Sequence, residues 1–231
     1  MDNKEKSYLI MKNILVIAPH PDDETLGCGG TLLKHLKNND KIFWIIATSM
    51  NTKDGWSENK KKVRDKEILS ISKKYNFSKV FNLNYSPGKI SDMNLSLIIE
   101  EFRRIFKDIK PNIIYAPYIN DVHSDHKIIS KATISSIKNF RSPTINKVMF
   151  YETISETNFN FGSTDNFNPN LFVDISNFLQ KKINIMQIYK SEIKKHPFPR
   201  SKESLTAKAI LYGSIIGVKY AEAFQIIYQK K

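Results

Sequence analysis

Short, wholly apolar runs alternate along the chain with longer amphipathic ones. Residues 14–18 are continuously apolar, as a central parallel strand covered on both faces requires. Residues 42–48, 79–83, 112–116, 147–151 and 171–175 repeat that strand signal. Helical spacing fills most of the gaps. One helix is expected over 31–37, after the glycines at 27, 29 and 30. A second runs from an N-cap at Ser57 to Tyr75, with Val63, Ile68 and Ile71 on one face. A third starts at Ser91 or Asp92, carries Leu95, Ile98, Phe102 and Ile105, and is stopped by Pro111. Further helices are expected over 125–139, 176–190 and 204–217. This βαβα order predicts an α/β fold, a Rossmann-like three-layer sandwich with a mostly parallel sheet and helices on both faces. Residues 154–170, rich in Asn, Ser, Thr and Phe, read as a long loop of the kind that is functional or mobile.

Composition narrows the classes. The chain has 231 residues, 41% of them hydrophobic, which suits a single globular domain over 1–231 and excludes intrinsic disorder. Residues 1–10 read as a loosely ordered extension, because Met11 opens a more typical start. One cysteine, Cys28, excludes a disulfide framework and a Cys-rich zinc module, and it reads as a small packing residue. The first ten residues lack an apolar h-region, and no apolar run approaches the roughly 20 residues of a membrane span, so a soluble, cytoplasmic protein is expected. The net charge of +13 comes from 36 Lys+Arg against 23 Asp+Glu. Nucleic acid is not the expected partner, since arginines are few and the lysines are scattered.

Candidate chemistry concentrates at two strand ends. The first strand runs into Pro19-His20-Pro21-Asp22-Asp23-Glu24-Thr25-Leu26-Gly27. Three acids crowd beside a histidine within five residues; packed closely, like charges raise one another's pKa, and a bound cation would relieve the repulsion. An acidic turn capping the next helix is the plainer alternative. A phosphate loop is not supported, because the glycines fit neither nucleotide motif and the acids would repel a phosphate. The fourth strand leads into Asp121-Val122-His123-Ser124-Asp125-His126. His123 and His126, three apart, share one face of a helical turn, and Asp125 could orient an imidazole. In open α/β sheets ligands bind at the carboxyl ends of strands, so the two clusters together point to a metal site. His35 and His196 read as ordinary surface residues.

The strand–Pro19-His20-Pro21-Asp22-Asp23-Glu24 motif followed by His123-x-Asp125-His126 resembles the LmbE/PIG-L family of metal-dependent N-acetyl-sugar deacetylases. Arg64-x-x-Glu67, Tyr151-Glu152, Phe172-Val173-Asp174-Ile175 and Tyr220-Ala221-Glu222-Ala223-Phe224 extend the likeness. Thr48-Ser49-Met50-Asn51 departs from the family's Thr-x-Gly stretch. The resemblance implies His20, Asp23 and His126 as ligands of Zn²⁺, with Fe²⁺ equally suited to them. It implies Asp22 as general base toward a metal-activated water, His123 as acid or electrophilic partner, and Asp125 as the residue holding His123. Arg64 would bind a polar or anionic part of the substrate, unless it is an exposed helix-surface pair with Glu67. Glu222 reads equally as functional or structural. Trp56 and Phe159, Phe161 and Phe167 are candidate sugar-stacking residues, although packing is the commoner use of such rings. The implied substrate is a small N-acetylated amino sugar, as a GlcNAc-like glycoside or a nucleotide-linked or lipid-linked sugar. A metal-dependent amidase acting on a non-sugar N-acyl compound is the alternative. Self-association into a homo-oligomer is left open.

Overall fold

The structure is a computed structural model that describes residues 11–161 and 164–230. The expected extension over 1–10 lies outside the described residues. Seven strands form one sheet: β1 (Asn13–Ala18), β2 (Lys41–Thr48), β3 (Lys79–Tyr85), β4 (Ile113–Pro117), β5 (Lys147–Tyr151), β6 (Leu171–Asp174) and β7 (Ala221–Gln229). The spatial order is β3-β2-β1-β4-β5-β7-β6. β1 to β5 are parallel, and β7 runs antiparallel to both β5 and β6. The helices are α1 (Asp23–Lys37), α2 (Glu58–Tyr75), α3 (Leu95–Ile109), α4 (Ser124–Ser136), α5 (Leu179–Met186) and α6 (Lys202–Ile216).

The apolar strands are apolar because both faces are covered. Ile14, Val16 and Ala18 enter one core with Trp44, Tyr75 and residues of α1, while Leu15 and Ile17 enter the other with Ile98, Phe102 and Ile129. All five β1 side chains from Ile14 to Ala18 are fully buried. Two helical layers around one sheet follow directly from that alternation.

Several elements differ from expectation. α1 begins at Asp23 and runs through the glycines, instead of starting at Thr31. It is bent at Cys28, whose backbone leaves the helical region. The glycines are there for packing: a Cβ on Gly27 would lie 2.1 Å from the Tyr151 ring, and one on Gly30 would lie 2.8 Å from Ile175 Cγ2. A buried side chain occupies the bend. The Gly30 and Thr31 amides donate to Glu222 Oε1 and Oε2 at 2.8 and 2.7 Å. Lys182 Nζ donates to Leu26 O at 2.8 Å and to Glu222 Oε1 at 2.7 Å. A polar insertion of this kind is a recognised cause of a helix kink.

The third helix starts at Leu95 on an Asn94 cap, because Ile90–Asp92 forms a separate 3₁₀ turn. The 176–190 segment keeps α-helix only over Leu179–Met186. β7 is absent from the expected set: Glu222 and Gln225 interrupt its apolar run, and Glu222 is buried as the partner of Lys182. Cys28 is buried as expected.

β1 and β4 are neighbours at the centre of the sheet. From β1 the chain moves to β2 on one side, and from β4 it moves to β5 on the other. The strand order therefore reverses between them, and side chains beyond their carboxyl ends meet in the crevice this creates.

Candidate metal centre and its cavity

His20, Asp23 and His126 converge at that crevice. Each offers one ligand atom, and these atoms lie within 4.8 Å of one another. Asp23 sits in the first turn of α1, where its Oδ2 accepts the His20 amide at 2.8 Å and lies 3.3 Å from His126 Nε2. His126 is fully buried on the first turn of α4. Its Nε2 has no hydrogen-bond partner among the described residues. An unsatisfied buried ring nitrogen is uncommon and calls for a ligand. Two imidazoles and one carboxylate fit zinc, and a 2-His-1-carboxylate set also fits ferrous iron.

Contacts behind these three residues aim their side chains. His126 Nδ1 is 2.8 Å from Asp121 Oδ2, and Thr157 Oγ1 donates to Asp121 Oδ1 at 2.6 Å. Asp125 is fully buried, and its Oδ2 is 3.0 Å from His20 Nε2 and accepts the Gly88 amide at 2.7 Å. The Asp125 carboxylate thus addresses His20. His123 is held by the Asp125 backbone instead, whose N–H donates to His123 Nδ1 at 3.1 Å. That bond assigns the His123 proton to Nε2.

Electrostatics follow from burial and crowding. Burial opposes charge on His126, yet Asp23 and Asp121 raise its pKa well above the usual imidazole value. Burial opposes charge on His20 as well, but hydrogen bonds to Asp125 and Asp23 raise it to about 9. Asp23 is buried too, and His126 and His20 outweigh that burial and lower its carboxyl strongly. Burial lowers His123 to about 4, with His20 and His126 adding to the effect, so its imidazole is neutral near pH 7.

Asp22 precedes α1 with φ at 145°, a backbone conformation that costs a non-glycine residue about 1–3 kcal/mol. Glu24 braces the turn by accepting the Asp22 amide at 3.1 Å, while also accepting from Thr25 Oγ1 and Tyr189 OH. Burial raises the Glu24 carboxyl to about 7. Asp22 Oδ2 accepts from Arg200 Nη1 at 2.9 Å. Burial and the neighbouring Asp23 push the Asp22 carboxyl up, and Arg200 opposes them.

The cavity above these groups measures about 230 Å³. Asp22, Asp23, His20, His123 and His126 all line it. Arg64 reaches its edge but is not an exposed surface pair: it is buried, with Nε 3.2 Å from Glu67 Oε2. Its other nitrogens donate to Pro21 O at 2.7 Å, to Ser191 Oγ at 3.0 Å and to Glu192. Trp56 lines the cavity. Phe159 and Phe161 instead pack on each other, and Phe167 packs on Tyr118. Glu222 lies in the α1 bend described above. His35 is not a surface residue, since its ring bridges Asp40 and the Tyr115 hydroxyl at 2.7 and 2.9 Å. His196 is exposed, as expected.

Arg200, Asp121 and Thr157 were not anticipated. Arg200 had one available signal, being one of few arginines and standing directly before the Ser201 cap of α6. Asp121 is the first residue of the second cluster but was assigned no role there, whereas Thr157 carries no motif.

Residues 15–137 match the family described as PIG-L: GlcNAc-PI de-N-acetylase. The diacetylchitobiose deacetylase of Thermococcus kodakarensis is 23% identical over 237 residues, covering 94% of this chain and 84% of that protein. A probable N-acetyl-alpha-D-glucosaminyl L-malate deacetylase 2 of Bacillus subtilis is 25% identical over 134 residues, or 54% of this chain and 61% of that protein. Among solved structures, the conserved protein TT1542 from Thermus thermophilus superposes with a TM-score of 0.75 at 25% identity, covering 93% of this chain and 94% of that one. The N,N'-diacetylchitobiose deacetylase of Pyrococcus horikoshii gives the same TM-score at 22% identity, covering 94% and 84%, and shares the fold. No helix among the described residues is long and apolar enough to cross a membrane.

Proposed function

Because the chain belongs to the PIG-L (GlcNAc-PI de-N-acetylase) family, we propose that it is a metal-dependent hydrolase removing acetate from an N-acetylated amino sugar. The observation that carries this reading is the meeting of His20, Asp23 and His126 with the Asp22 carboxylate in one cavity. His20, Asp23 and His126 would hold Zn²⁺ or Fe²⁺. A divalent ion bound there supplies Lewis acidity and lowers the pKa of a water it holds toward about 7.

The chain's own residues do the rest. Asp22 is the general base: Arg200 fixes Oδ2, and Oδ1 has no hydrogen bond among the described residues and receives the proton of the attacking water. Water oxygen bonds to the acetamide carbon, and the carbonyl oxygen gains negative charge. His123, neutral with its proton on Nε2, donates to that oxygen. The C–N bond then breaks, and the proton held by Asp22 passes to the departing amine. Acetate and an amino sugar result. Asp125 orients His20 with its carboxylate and His123 with its amide. Arg64 supports the Pro21 side of the cavity rather than an anion of the substrate.

The cavity of about 230 Å³ has room for little more than one sugar ring, and an adjoining groove of about 640 Å³ shares Trp56 and Arg64 with it. That groove would take the remainder of a glycoside. The test is free-amine detection across N-acetyl sugars, including glycosides and nucleotide-linked forms, with metal analysis alongside. Acetate release that stops with a chelator and returns with zinc or ferrous iron is expected. Cleavage confined to non-sugar N-acyl compounds would overturn the sugar assignment.

A further inference from the structure

Four carboxylates line the cavity: Asp22, Asp23, Glu156 and Glu192. Three are taken. Asp22 is paired with Arg200, Asp23 with His20 and His126, and Glu192 with Arg64 and Arg200. Glu156 stands apart. Among the described residues its carboxylate has no cationic partner, and its one side-chain contact is a long 3.4 Å hydrogen bond from Ser155 Oγ. A half-buried carboxylate facing a cavity keeps most of its acceptor capacity for whatever enters.

The segment that presents Glu156 is built rather than loose. The Glu156 and Thr157 amides donate to Thr153 O at 3.0 and 2.9 Å, and the Val122 amide donates to Glu156 O at 3.4 Å. Thr157 Oγ1 accepts the Thr153 amide at 2.8 Å and donates to Asp121, which holds His126. The turn carrying Glu156 is therefore tied to the proposed metal ligand through Thr157 and Asp121. A second observation points the same way. Thr153, 1% exposed, lines the cavity with a buried Oγ1 that has no hydrogen-bond partner among the described residues. An unsatisfied hydroxyl and an unpaired carboxylate thus line the same cavity from one backbone turn.

We propose that Glu156, together with the Thr153 hydroxyl, is a specificity-determining site that accepts hydrogen bonds from ring hydroxyls of the sugar and so selects a polyhydroxylated acetamide over a simple one. This rests on the deacetylase reading above and adds the substrate contact that the 154–170 segment makes. Glu156 takes no part in proton transfer, so its loss falls on binding.

The experiment compares wild type, Glu156→Gln and Glu156→Ala on methyl N-acetyl-β-D-glucosaminide and its 3-, 4- and 6-deoxy analogues, with metal content measured in each. Removing a charge-assisted hydrogen bond should raise KM roughly 10- to 100-fold, with kcat and bound metal little changed. On one deoxy analogue wild type should already show the raised KM, and the variants should add nothing. Glu156→Asp, which keeps the charge on a shorter arm, should recover part of the loss. A wild type that cleaves the glucosaminide while both variants match its KM overturns this inference alone. So does a loss that is equal on every deoxy analogue, or one that tracks metal content. A metal-loaded wild type that cleaves no N-acetyl sugar overturns the deacetylase reading, and this inference with it.

Discussion

Asp121 Oδ2 stands 2.8 Å from His126 Nδ1, and the opposite nitrogen of the same ring, Nε2, lies 3.3 Å from Asp23 Oδ2. A carboxylate on one side of an imidazole fixes the tautomer and the ring plane, and it makes the far nitrogen a better donor to a metal. Asp121 is fully buried, so the contact is not screened by water. Asp121→Ala should therefore weaken metal binding by about 10- to 100-fold while leaving the proposed ligands in place. Chelator competition measures it. Unchanged affinity in a folded variant would remove Asp121 from the site.

Asp22 lies next to a proposed ligand in sequence but makes its contact with Arg200. Asp22→Ala should keep the metal and lose about 10²- to 10⁴-fold in kcat, the usual loss on deleting a general base. Metal analysis beside steady-state kinetics separates the two effects. Wild-type turnover in this variant would exclude Asp22 as the base.

The metal-free site competes for protons. His20, raised to about 9 by Asp125 and Asp23 despite its burial, carries a proton at neutral pH that a metal must displace. Apparent metal affinity should therefore rise with pH between 6 and 8, by close to tenfold per unit for each proton released. Titrations in buffers of different ionisation enthalpy count those protons. An affinity flat across this range would mean that His20 is already neutral in the metal-free protein.

Much of this site was legible in the sequence, because strand ends and short polar motifs are local features. Residues 19–24 follow β1 directly and residues 121–126 begin four residues after β4, and apolar runs locate strands well. Partnerships across the chain were not legible. Arg200 meets Asp22 across 178 positions, and Glu222 meets Lys182 across 40. Nothing near Glu222 distinguishes a surface carboxylate from one buried against a helix bend, so β7 and the kink in α1 were missed together. The glycines at 27, 29 and 30 read as a break because intrinsic propensity disfavours them in helices. The side chains that demand Gly27 and Gly30 come from distant segments, Tyr151 from β5 and Ile175 from just beyond β6.

The Glu222–Lys182 pair gives the sharpest stability test. Both side chains are buried, and removing one partner of such a pair typically costs about 3–5 kcal/mol. The two ends are not equivalent. Glu222 also satisfies the Gly30 and Thr31 amides that the bend at Cys28 takes out of the helical ladder. Lys182 satisfies one further group, the Leu26 carbonyl. Glu222→Ala should therefore destabilise the protein more than Lys182→Met, with a Tm lower by roughly 6–20 °C for the larger loss. Thermal and urea unfolding of both variants measures the difference. The bend also places the first turn of α1, and with it Asp23, so Glu222→Ala should weaken metal binding although Glu222 lies outside the metal-binding group. Equal stability losses in the two variants, with metal affinity intact in both, would reduce Glu222 to an ordinary ion pair with no part in shaping the helix that carries Asp23.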